Sequence, residues 1–318
     1  MSEFLIQKRQ LRLESGPATL LPLMHMPLLK GAPRKDGAYE ILEDELGDLV
    51  HFYGDFSGFH IYLIVTTYKK EIVPESLRYY DPLNGMFSVT LSVMDDDGNR
   101  KLIPLEKCQA PIFQNTAEGA VFPQKITVEK FSVGTPDGLK FHFAKGAPKF
   151  RFSNNLTPHV SELARFSNDG YFDLQVEYVG KAVGDDGSRE VSDRFEDGHS
   201  TETKILRELN HKRTNRDGYA ILYKPGRLID VDGTLSSSIS YSHIVDVMER
   251  AITSYFQPEK NKTNKKFPDD RSDGALRLRK AGVDYLFIEI ESPSKYGMLY
   301  TFDAARDLIH RCEMEIPQ

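Results

Sequence analysis

After residue 162 the hydrophobic periodicity of this chain switches between two and 3.6 in an order that admits few folds. ELARFS (162–167) reads as a short strand, and Asn168-Asp169-Gly170 is a turn signal. YFDLQVEYVG then alternates, with Phe172, Leu174, Val176 and Tyr178 on one face and Asp173, Gln175 and Glu177 on the other. That pattern predicts a half-buried strand with Tyr178 pointing inward. Residues 181–198 are polar and glycine-containing, a loop with a short helix around Ser188–Phe195. Ser200 can cap a helix running through Ile205, Leu206 and Leu209, and GYAILYK (218–224) is a strand. Ser242 can cap a further helix whose apolar residues Ile244, Val247, Met248, Ala251, Ile252 and Tyr255 recur at helical spacing. Strand, strand, helix, strand, helix is the order of an α+β fold, not of an alternating parallel sheet.

Upstream the chain is mostly β. GFHIYLIVTTY (58–68) is a buried-strand run, and MFSVTLSVM (86–94) with RKLIPL (100–105) forms a hairpin turning at Asp97-Gly98. LKFHFAKG (139–146) and PKFRFS (148–153) are two more strands. The Asn, Ser, Thr and Pro of residues 153–161 mark a linker. The expected division is a β-rich N-terminal domain over 1–155 and a second domain over 156–318, a small antiparallel sheet flanked by helices. At the far end, VDYLFIEIE (283–291) and MLYTFD (298–303) read as a hairpin and AARDLIHRC as a last helix.

Several function classes drop out. No run of 18 apolar residues is present, so no membrane partner is expected. The opening MSEFLIQKRQLRLESG has no apolar core of a secretory signal, and Cys108 and Cys312 are the only cysteines, so a cytoplasmic location is expected. Neither a phosphate-binding GxxxxGK[ST] loop nor a GxGxxG turn occurs. The formal net charge of −6 argues against a histone-like coat on nucleic acid, yet residues 257–280 hold 8 Lys and Arg against 4 Asp and Glu.

One helix carries the chemistry. Glu249 sits at roughly 130° from the centre of the apolar stripe at 100° per residue, flanked by Val245, Ile252 and Phe256. A carboxylate walled by apolar side chains needs a cation or another partner. In EYVGKA, Tyr178 is followed by Gly180, which permits close backbone approach, and by Lys181. Arg194 in SDRFEDGHS suits a phosphate because its planar fork stays charged, and His199 follows five residues on. After Pro258 stops the helix, Asn261 stands among Lys260, Lys262, Lys265 and Lys266, a loop able to track a phosphate backbone.

Tyr178-Val179-Gly180, the downstream Arg with its His, and Glu249, Ile252, Phe256, Pro258 and Asn261 at their spacing resemble the GIY-YIG nuclease superfamily over residues 160–268. The resemblance implies a three-stranded antiparallel sheet flanked by helices and metal-dependent hydrolysis of a phosphodiester. It gives Tyr178 the place of the second signature tyrosine, Arg194 that of the helix arginine, Glu249 that of the single metal-binding glutamate and Asn261 that of the asparagine after the helix. The Gly-Ile-Tyr half of the signature is absent as such. Eleven residues before Tyr178 the chain reads Arg165-Phe166-Ser167, and the nearest tyrosine is Tyr171. The insertion DDGSREVSD leaves Arg189 as a rival to Arg194. On this reading Glu249 holds one Mg²⁺ or Mn²⁺, Arg194 with His199 stabilises charge at phosphorus, and the base is Tyr178, Tyr171 or Lys181. Nucleic acid is the expected partner, DNA before RNA, by analogy in a restriction or phage-defence setting, and a homo-oligomer is admitted. The N-terminal domain is left with recognition, regulation or dimerisation. Three alternatives stand beside it: an inactive binding module that keeps the fold, a nuclease cluster of Asp284, Glu289, Glu291 and Lys295, and an interaction or toxin-like protein worked by its N-terminal domain.

Overall fold

The computed structural model describes residues 10–15, 18–23, 41–43, 49–51, 58–110, 113–115, 119–130, 137–143, 155–156, 169–183, 194, 200–225, 229–230, 239–269, 272–292 and 297–317. The strands expected at 148–153 and 162–167 lie outside them, as does the helix around 188–195 apart from Arg194, itself helical.

A five-stranded sheet organises the chain. Its order is Leu299–Tyr300, Leu174–Lys181, Ile61–Tyr68, Arg216–Tyr223, Ala18–Pro22. The middle three strands pair antiparallel, and the Leu299–Tyr300 strand lies parallel to Leu174–Lys181. Both faces are covered, which is why Ile61–Tyr68 reads as an unbroken apolar run. Ile61, Leu63 and Val65 face the helix Tyr241–Phe256, in one core with its Val245, Met248 and Ile252. Tyr62 and Ile64 face the other way, in a core with Ile205 and Leu209 of the helix Ser200–His211.

The division expected at 155 separates no two sheets. The strands Ile61–Tyr68 and Leu174–Lys181 are neighbours in space, and the chain between them builds an inserted β module. There Lys70–Asp81, Met86–Met94 and Arg100–Gln109 form a meander, with Gly98 at φ +80° in the expected Asp97-Gly98 turn. Leu139 and Phe141, on the strand Asp137–His142, join Phe87, Val89 and Leu91 in a separate core. Asp96 ties the hairpin tip to the central sheet, accepting hydrogen bonds from Arg216 Nη2 at 2.7 Å, Tyr68 at 2.8 Å and Asn215 at 3.0 Å. The Arg216 guanidinium holds its carboxyl well below the usual range.

A second sheet runs Ile229–Asp230, Gln10–Glu14, Tyr285–Glu291, Ile309–Glu315. Here the expectation for the tail is corrected. Tyr285–Glu291 pairs with Ile309–Glu315 and not with 298–303, so the segment expected as a last helix is instead a strand beyond residue 308. Its alternation explains this: His310 and Cys312 are buried, whereas Arg311 and Glu313 are exposed. No described helix is long and apolar enough to cross a membrane.

Candidate active site

The face assignment at Tyr178 is corrected by one irregularity. The register of Leu174–Lys181 against Ile61–Tyr68 shifts between Val176 and Tyr178. This β-bulge inserts a residue and inverts the alternation beyond it. Leu174, Val176 and Val179 therefore share the helix-facing core, and Tyr178 turns to the opposite face beside Tyr62. Buried Glu177, left at the bulge, accepts hydrogen bonds from Thr66 at 2.8 Å and Arg213 at 2.6 Å.

The pairing Gly180↔Tyr62 supplies an aromatic hydroxyl that the segment just before Tyr178 lacks. The Tyr62 and Tyr178 ring centroids are 6.1 Å apart. Gly180 makes this possible, because a Cβ there would lie 2.3 Å from Tyr62 Cζ and 2.8 Å from Tyr178 Cε1. Gly180→Ala is accordingly expected to cost about 1–3 kcal/mol through overpacking against a ring with no free space, read by urea denaturation. The sequence signal for Tyr62 was His60-Ile61-Tyr62 at the head of a predicted strand, 116 positions upstream of Tyr178 by residue number.

Around the end of this strand lies a cleft of about 560 Å³ lined by residues that include Tyr178, Lys181, Arg194, Asp246, Glu249 and Arg250. The Arg194 guanidinium lies close enough to both tyrosine hydroxyls for its charge to oppose the rise in their pKa values. Burial raises the Tyr178 pKa, with the Glu249 charge next in size. Burial raises that of Tyr62 further, with help from Tyr178. Both phenols are therefore hydrogen-bond donors near neutral pH.

Glu249 is 8% exposed, and its Oε2 accepts from Asn264 Nδ2 at 3.1 Å and lies 3.8 Å from Lys181 Nζ. Burial raises its pKa, opposed by the Lys181 charge. Asp246, one turn away, is a cleft carboxylate that sequence reasoning missed. It accepts from Lys181 Nζ and, at 2.8 Å, from Arg250 Nε. Burial pushes its carboxyl up, but these two cations outweigh burial and hold it below its ordinary value. Asn264, at φ +65°, closes the network by accepting from Arg250 Nη1 at 3.1 Å.

Of the expected site residues, Tyr178, Lys181, Arg194 and Glu249 share the cleft. Tyr171 does not. It packs on Tyr68, ring centroids 5.2 Å apart, at the far end of the strand. Six residues at 3.3 Å each put that end about 20 Å from Tyr62. His199 lies outside the described residues.

The basic loop is corrected as well. Asn261 is 6% exposed and spends both ends of its amide on one backbone unit, accepting from Val179 N at 2.9 Å and donating to Val179 O at 2.9 Å. It caps the sheet edge as a further strand would. Lys260 donates to both oxygens of Glu208, at 2.8 and 2.7 Å, and Lys265 to the Gln257 carbonyl at 3.2 Å. Only Lys262 and Lys266 of the set are exposed. In the rival C-terminal cluster, Glu289 pairs outward with Arg311 at 2.9 Å, and Lys295 is not among the described residues. Among the described residues no group of three or more His, Cys, Asp and Glu could hold a metal. Compared with family models, curated proteins and solved structures, the chain matches none.

Proposed function

We propose that this protein is a metal-dependent endonuclease that hydrolyses phosphodiester bonds of nucleic acid, DNA before RNA. The observation that carries the reading is the convergence of the Tyr178 hydroxyl, the Arg194 guanidinium and the buried Glu249 carboxylate on one polar cleft, with buried Tyr62 packed behind Tyr178. The donor set fits a hydrated Mg²⁺ or Mn²⁺, which binds through one or two carboxylates and keeps most of its waters. Glu249 would hold the ion, and about 560 Å³ leaves room for its waters. Bound there, the ion supplies Lewis-acid polarisation of a phosphate oxygen.

The other groups follow from their partners. Arg194 presents its fork to the non-bridging oxygens and stabilises charge as it develops at phosphorus. Of the three expected bases, Tyr178 lines the cleft, whereas Tyr171 packs at the far end of the strand and Lys181 already donates to Asp246, so the base is assigned to Tyr178. A cation on Glu249 would offset the charge that is the second cause of the raised Tyr178 pKa, so that Tyr178 could give up its proton to solvent and, as the phenolate, accept one from the attacking water. Tyr62, fixed over Gly180, orients it.

The test is incubation of supercoiled plasmid and of structured RNA with the full chain in Mg²⁺ and in EDTA. Nicking or linearisation in Mg²⁺ only is expected. Cleavage that persists in EDTA overturns the metal, and absence of any cleavage in Mg²⁺ or Mn²⁺ overturns the hydrolase. One observation favours a second reading, a binding module without catalysis: Lys181 places a cation against Asp246, 3.8 Å from Glu249. Its signature is a gel shift in EDTA that Mg²⁺ never converts to cleavage.

A further inference from the structure

Two carboxylates and one flexible cation meet on the cleft floor. Asp246 and Glu249 stand three residues apart on one helix, hence on one face. The Lys181 ammonium donates to Asp246 Oδ1 and lies 3.8 Å from Glu249 Oε2, so it is seated between the pair. The remaining partners are interlocked. Arg250 holds Asp246 Oδ2 and Asn264, and Asn264 holds Glu249. Lys181 enters from the sheet, at the end of the strand Leu174–Lys181, on a four-carbon stem with a side chain 31% exposed.

We propose that Asp246 and Glu249 form one cation seat with two alternative occupants, the Lys181 ammonium and a divalent ion, so that Lys181 sets metal affinity by competing for the seat. This rests on reading the cleft as a divalent-ion site. It adds Asp246 to that site and makes Lys181 a positioning residue that holds the two carboxylates in register until the ion replaces it. Like charges within about 4 Å repel strongly in a partly buried site, so the two occupants exclude each other.

Calorimetric titration of the full chain with Mn²⁺ tests this without any substrate. Lys181→Met is expected to bind Mn²⁺ about tenfold or more tightly than the wild type, and Lys181→Arg to stay within about threefold of it. A second measurement uses the wild type alone. Acetylation of Lys181 by an amine-reactive ester, read by mass spectrometry, should rise several-fold at saturating Mg²⁺. Equal or weaker Mn²⁺ binding by Lys181→Met, or labelling that Mg²⁺ leaves unchanged, overturns the shared seat. If the wild type still cleaves nucleic acid in Mg²⁺, only this inference falls. If neither wild type nor Lys181→Met binds Mn²⁺, the metal-dependent function falls with it.

Discussion

Glu249→Ala is expected to lower Mg²⁺-dependent cleavage at least about a thousandfold while the protein stays folded. A thousandfold is about 4 kcal/mol of transition-state stabilisation, within the several kcal/mol that a bound Lewis acid supplies. The fold should tolerate the change because Glu249 contributes little packing beyond its own network. Asn264 keeps Arg250 as a partner, and Lys181 keeps Asp246. Alanine is also the best helix former, which favours the helix Tyr241–Phe256. Single-turnover cleavage with circular dichroism on the same samples checks both halves. Glu249→Gln should lose as much activity as alanine, since it keeps the shape and removes the charge. A Glu249→Ala protein that cleaves within tenfold of wild type rules out the metal assignment.

Asn261→Ala should do the opposite, reducing stability and sparing nucleic-acid affinity. The substitution strands the Val179 N–H and carbonyl, both paired with Asn261 at 2.9 Å in a buried position. At about 1–3 kcal/mol for each of the two unsatisfied buried groups, a loss of about 2–6 kcal/mol is expected in urea denaturation. The slope of log affinity against log salt should not move, because that slope counts phosphate contacts and this side chain makes none at the surface. An Asn261→Ala protein of wild-type stability with a shallower salt slope would restore the loop asparagine to the interface.

These two substitutions separate what local pattern carries from what it does not. The helix that bears Glu249 was legible because its apolar stripe repeats every 3.6 residues and Pro258 follows its end. The hairpin at Asp97-Gly98 and the run Ile61–Tyr68 were legible for the same kind of reason. Asn261 was misjudged because its lysine neighbours gave the loop a basic composition. Composition does not reveal that the amide is consumed by a strand 82 residues away. The tail was misjudged because AARDLIHRC admits a helical reading until Ile309–Glu315 finds the edge of Tyr285–Glu291.

From the residues alone came the α+β character, the amphipathic helix with its flanking glutamate, and the Tyr178, Gly180, Lys181 and Arg194 group. Folding decided the rest: which tyrosine stands beside Tyr178, the face on which Tyr178 lies, and the second carboxylate. Tyr62 and Gly180 are register partners across the whole inserted module, and the bulge between Val176 and Tyr178 turns the ring towards Tyr62. Periodicity records which side of its own segment a residue occupies. Partnership across 118 positions (180 minus 62) depends on how separate segments share one core, and no local pattern contains that information.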